Sequence, residues 1–148
     1  MGLKELMTEE TIVLDMDSHS KMEGIEELAG RMAEIGRVTD LKSYLAAVMK
    51  REAEATTGIG FGVGIPHGKS KAVSSPTLGF GRSKEGISYD SMDGKPVHLL
   101  FLIAVPENSD NEHLRILSQL SRKLMHQDIR DRLMHAADAE EIYSIIDE

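Results

Sequence analysis

The chain has 148 residues, with 25 acidic side chains against 17 basic ones and a formal charge of −8. It contains no cysteine and no tryptophan, and aromatics make up 4% of it. Together these exclude a disulfide scaffold, a cysteine zinc site and a thiol nucleophile on this chain, and they argue against a nucleic-acid partner, which needs a basic face and stacking rings. The length fits one domain over 1–148, since roughly 100–200 residues is the usual range. No uncharged apolar run approaches the roughly 18 residues of a membrane helix. Residues 1–15 carry four acids and no signal-like apolar stretch, so the expected location is cytoplasmic.

In chain order, the β-branched run over 11–15 predicts a first strand. Ser18 and Ser20 offer N-caps. Ile25, Leu28, Met32 and Ile35 then recur at helical spacing, and Gly36 is placed to end that helix. A second helix starts at Thr39 or Asp40, with Leu41, Tyr44, Leu45, Val48 and Met49 as its apolar stripe. From Ile59 the pattern changes to large apolar residues alternating with glycine, a period of two that predicts a strand ending near Pro66. Glycine weakens a strand, so these positions call for close approach of another element or of a ligand.

The stretch 77–82 predicts the next strand, and a short strand or hairpin fits around 87–89. Asp93 and Gly94 mark a turn. Residues 97–105 are almost all apolar, as in a central strand buried on both faces, and Pro106 stops it. The rest predicts helices: 113–124 with Leu114, Leu117, Leu120 and Leu124 on one face, a short one capped by Asp128, and a last one capped by Asp138 with Ile142, Ile145 and Ile146 inward. Helices at both ends of a run of strands predict an α/β or α+β layered fold. The strand order is not readable.

Without cysteine, histidine is the leading candidate for covalent chemistry. His19 sits in a polar loop. His98 lies in the apolar strand, where a packed, hydrogen-bonded histidine is the simpler reading. His126 and His135 lie near helix ends, where a histidine meets the helix dipole. His67 differs: it follows a strand and Pro66 and precedes Gly68, so it is expected to project from a strand's carboxyl end. His113 opens a helix, where free N–H groups favour an anion.

Arg51, Glu52, Ile59, Gly60, Val63, Gly64, Ile65, Pro66, His67 and Gly68 together resemble the phosphorylation-site signature of the fructose/mannitol-type enzyme IIA domains of the bacterial phosphoenolpyruvate-dependent sugar phosphotransferase system. Glu52 opens the signature and Pro66, His67 and Gly68 close it. Gly64 stands where the family usually has alanine. Asp93 through Pro106 resembles the family's central strand, and Glu112, His113, Leu114 and the stretch 139–146 resemble its C-terminal helices. The resemblance implies an α/β (α+β) fold with a mixed sheet of about five strands and helices on both faces.

It also implies a function. His67 would accept a phosphoryl group from the phosphohistidine of the carrier HPr, on Nε2, and pass it to an enzyme IIB domain, usually to a cysteine. A membrane IIC permease would be an indirect partner, and the relay needs no metal, nucleotide or other cofactor. Arg51 and His113 match active-site residues of the family and would stabilise the transferring group. Backbone N–H groups of Gly68 and Ser70 are further candidate donors. Glu52 is expected to be a solvated helix residue, because its charge would repel phosphate unless it orients another group. A regulatory, nitrogen-type relative, whose phosphorylation state controls a binding partner, is the alternative. A metal-dependent hydrolase built on His67 and His113 is a third possibility, but no helix-spaced metal pair is present.

Overall fold

The computed structural model describes residues 2–148. After two short 3-10 turns, Leu3–Leu6 and Glu9–Thr11, the chain forms β1 (Ile12–Val13), α1 (Lys21–Glu34) and α2 (Leu41–Glu54). Strands β2 (Gly58–Gly60), β3 (Val63–Gly64), β4 (His67–Ser70), β5 (Thr77–Ile87) and β6 (Val97–Pro106) follow. The chain closes with α3 (Glu112–Leu124), α4 (Gln127–His135) and α5 (Ala139–Asp147).

The caps explain the helix starts. Ser20 accepts from the Glu23 N–H at 3.2 Å, Asp40 from Ser43 at 3.2 Å and Asp138 from Glu141 at 2.9 Å, each satisfying a first-turn N–H that has no partner inside its helix. Ser18 is no cap; its hydroxyl donates to Glu27 at 2.6 Å. Asp128 is not a cap either. His126 holds the N-cap position of α4, with no side-chain bond.

The six strands form one mixed sheet in the order β1-β5-β6-β3-β2, with β4 also paired to β6. β6 alternates its side chains into two cores. Leu99, Phe101, Ile103 and Val105 enter the one that includes residues of α3, α4 and α5. Leu100, Leu102 and Ala104 enter the other, with residues of α1 and α2. Helices therefore cover both faces, and β6 is the doubly buried strand that its apolar run predicts. At its centre Phe80 of β5 pairs with Phe101, their ring centroids 5.1 Å apart.

Three strand expectations need correction. β1 is only two residues long. β5 runs to Ile87 in place of a separate strand at 87–89, with a register shift between Arg82 and Ile87 and Gly86 at φ 96°. The glycine-rich stretch is not one strand. It turns back at Phe61 and Gly62, whose φ values of 59° and 76° suit the tight turn of an antiparallel hairpin between β2 and β3.

The chain then resumes alongside β6 in one register, Val63 opposite Leu99 and His67 opposite Ile103. It is interrupted at Ile65 and Pro66, because proline has no N–H to give to a ladder. His67 thus opens a strand rather than following one. Gly68 lies inside β4, where an added Cβ would stand 2.7 Å from Val48 Cγ2 of α2.

Helix α3 also differs in its facing. Ile116, Leu120 and Leu124 are its buried residues, Leu117 is half-buried and Leu114 is 50% exposed. Spacing by three and four fits both faces, and only packing chooses between them. Among the described residues no helix is long and apolar enough to cross a membrane.

Candidate active site around His67

His67 is 8% exposed at the start of β4, between α2 of one layer and α3 of the other. Its Nδ1 lies 3.1 Å from the carbonyl oxygen of Ile65. A carbonyl can only accept, so Nδ1 carries the hydrogen and Nε2 keeps the free lone pair of the neutral ring. The interruption at Pro66 is what frees the Ile65 carbonyl for this bond, two residues back along the chain.

A cleft of about 360 Å³ opens beside the ring. Arg51, Lys50, Ala47 and Glu54 of α2 line it, with Lys69 of β4 and His113, Leu114 and Leu117 of α3. The sequence-predicted trio of His67, Arg51 and His113 is therefore brought together, the two imidazole centroids 6.0 Å apart. Arg51 is braced, its Nη1 donating to the Ala55 carbonyl at 2.9 Å. Lys69 is held by the Asp110 carbonyl at 2.6 Å. A larger open hollow of about 640 Å³ beside α5 is lined by Arg132 and acids such as Glu140 and Glu141. Its arginine already pairs with Glu148.

Burial lowers the pKa of His67 below its ordinary 6.5, and the Arg51 charge adds to that. The Ile65 hydrogen bond and the Glu52 carboxylate pull the other way. His113 is lowered as well, by burial first and then by His67 and Lys69. Its Nδ1 is buried with no hydrogen-bond partner among the described residues, so none of them commits its tautomer. The cleft thus holds two imidazoles biased toward the neutral, nucleophilic form, beside fixed positive charge. That combination suits a nucleophile working on an anionic group.

The remaining candidates fall elsewhere. His98 Nδ1 bonds the Ser83 carbonyl at 2.9 Å, the packed histidine expected. His135 bonds the Asp131 carbonyl within its own helix. Ser70 caps the turn after β4, its hydroxyl accepting from the Ala72 N–H at 3.0 Å. Glu52 is a correction. It is not solvated: its side chain is 3% exposed and paired with Lys21 at 2.9 Å. Tyr44, Val48 and Glu52 are spaced by four, which puts them on one helix face. That signal was available, but the charge masked it. Lys21 and Tyr89, which share the network of Glu52, carried no sequence signal.

Residues 5–148 match the family described as phosphoenolpyruvate-dependent sugar phosphotransferase system, EIIA 2. The chain belongs to this EIIA family of phosphoryl carriers, a phosphotransferase component. It is 48% identical to a fructose-specific EIIA component of Haloferax volcanii, over 94% of this chain and 90% of that one. It is 41% identical to a fructose-specific EIIABC component of Bacillus subtilis, covering all of this chain but 23% of that longer protein. Among solved structures it is similar to nitrogen regulatory protein IIA-Ntr of Neisseria meningitidis, with a TM-score of 0.89, 37% identity and 97% of each chain covered. The EIIA fold is thereby established, and with it the layered α/β arrangement that the resemblance implied.

Proposed function

We propose that this chain carries phosphoryl groups from HPr to an enzyme IIB domain, with His67 as the carrier residue. One observation bears most of the weight: the hydrogen bond from Nδ1 to the Ile65 carbonyl, which leaves Nε2 as the nucleophile beside a cationic cleft. In the transfer step the Nε2 lone pair forms the new P–N bond while the donor's P–N bond breaks. The leaving electron pair stays on the donor imidazole, which departs neutral when its other nitrogen holds a proton. His67 keeps its Nδ1 proton, and the Ile65 carbonyl stabilises the positive ring that results. Arg51 offsets the charge of the phosphoryl oxygens and His113 donates a hydrogen bond to them, so positioning and charge supply the catalysis. In passing the group on, the thiolate of a IIB cysteine forms a P–S bond as the P–Nε2 bond breaks, and the electron pair returns to Nε2, leaving His67 neutral with its Nδ1 proton.

The fructose-specific EIIA and EIIABC relatives support a role in sugar uptake, with fructose as the first sugar to test. The EIIABC relative also supports a IIB domain as acceptor and a membrane IIC domain behind it, with the relay in the cytoplasm. The likeness to a nitrogen regulatory protein favours a second reading, in which phosphorylation of the same histidine controls a binding partner.

Mass measurement after mixing with phosphoenolpyruvate, enzyme I and HPr tests the proposal. One added phosphoryl group is expected, and none in His67→Ala. No gain in the wild type, under conditions that load another EIIA, removes the reading. Passage of the group to a fructose-type IIB separates transport from regulation.

A further inference from the structure

Glu52 lies next in sequence to Arg51, on the buried face of the last turn of α2, where four parts of the chain meet. Its Oε2 is 2.9 Å from Lys21 Nζ, which belongs to the first residue of α1. Thr57, just before β2, donates both its hydroxyl, to Oε1, and its backbone N–H, at 3.4 Å to Oε2. The Thr57 hydroxyl oxygen is also 2.8 Å from the Tyr89 hydroxyl. Lys21 Nζ sits 4.6 Å from the centroid of the Tyr89 ring and 3.5 Å from the Thr56 hydroxyl.

A buried ion pair gains little stability over an apolar contact, because both charges lose their water. Its best-attested use is to fix one arrangement among several. This pair ties the start of α1 to the end of α2, and the two Thr57 bonds to the same carboxylate fix the segment from Glu52 to Thr57. Inside that segment lies Ala55, whose carbonyl holds Arg51 Nη1 at 2.9 Å. The guanidinium that lines the His67 cleft is therefore braced on a peptide whose far end is clamped by Glu52. Lys21 resolves the objection to an acid here, since it offsets the charge that would otherwise repel a phosphoryl group.

We infer that Glu52 is the positioning residue for Arg51: clamped to Thr57 and neutralised by Lys21, it holds the Ala55 carbonyl where Arg51 must grip it to face the phosphoryl group on His67. This rests on the phosphoryl-carrier reading. Glu52 touches neither the reacting nitrogen nor the transferred group.

The test is a double-mutant cycle on phosphoryl uptake from HPr, reading kcat and KM for HPr separately, in wild type, Glu52→Gln, Arg51→Ala and the double variant. Glu52→Gln is expected to lower kcat about tenfold or more, as misplacement of a positioned group does, with KM for HPr unchanged. In the Arg51→Ala background the same substitution is expected to change kcat by less than about twofold, because there is nothing left to position. Equal losses in both backgrounds, or no loss in either, overturn the inference. Should Glu52→Gln fail to fold with Lys21 unpaired, Thr57→Val replaces it in the cycle. That variant keeps the ion pair and removes the hydroxyl's bonds to Glu52 and Tyr89, and a folded Thr57→Val with full kcat overturns the inference too. A wild type that takes up phosphoryl normally beside an additive cycle removes this inference alone. A wild type that takes up none removes the carrier reading and this with it.

Discussion

An imidazole attacks only through an unprotonated nitrogen, so the pKa of His67 matters as much as its place. Burial lowers it from 6.5, and that of His113 with it. Between the lowered folded values and 6.5 the unfolded chain binds more protons than the folded one. Stability therefore rises with pH across that window and is lost as pH falls through it. Thermal melts taken from about pH 7.5 to about pH 5.5 should show a falling midpoint, and His67→Gln with His113→Gln should flatten that slope. An unchanged slope in the double variant would sink the assignment. His113 is expected to aid transfer without receiving the group. His113→Ala should keep one phosphoryl group at completion but take it up roughly 10²-fold more slowly, as when one charge-stabilising donor is removed. Equal rates would take His113 out of the mechanism.

At the scale of elements, the site depends on how closely α2 lies against β4. Gly68 permits that approach: an added Cβ would meet Val48 Cγ2 at 2.7 Å, Tyr44 Cε1 at 3.1 Å and the Val48 backbone nitrogen at 3.2 Å. Gly68→Ala must push α2 outward, at a cost of about 1–3 kcal/mol typical of overpacking. Urea unfolding should show the loss, and Val48→Ala in the same chain should recover part of it; a neutral Gly68→Ala would mean that the helix yields freely. The same glycine shows what could be read in advance. Strand β6 and helices α1, α2 and α5 were legible because apolar periodicity and capping residues agree along each. The stretch from Gly58 to Gly68 was not, because its glycines serve different ends. Gly60 and Gly62 adopt positive φ around a turn, while Gly64 and Gly68 admit Tyr89 and α2. A period of two cannot tell these apart. Phe61 concealed the turn further, since a bulky residue at φ 59° and 69% exposed is not a turn signal. In the site, the resemblance marked His67, Arg51 and His113. The clamp at Glu52 escaped because a charged residue reads as solvated until its partner, 31 positions away, is seen beside it.

At the scale of the molecule, the cleft takes one wall from each layer: α2 belongs to one core, α3 to the other, and β4 runs between them along β6. Neither layer alone can hold His67, Arg51 and His113 together, so the site requires the two cores to fold as a unit. β6 couples them, because its alternate residues are buried in each, and an element shared in this way cannot leave one core without opening the other. The tyrosines report on the layers separately. Tyr44, whose hydroxyl donates to the Ile103 carbonyl at 2.8 Å, and Tyr89 belong to the α1–α2 core, while Tyr143 packs against the other. With no tryptophan to mask them, their fluorescence is readable. In Tyr44→Phe with Tyr89→Phe, the Tyr143 signal should lose its native value at the same urea concentration as far-UV circular dichroism. In Tyr143→Phe, the signal of the α1–α2 layer should coincide with circular dichroism in the same way. Separate midpoints in either variant would show that one layer survives without the other, and that the coupling through β6 does not hold the halves of the cleft together.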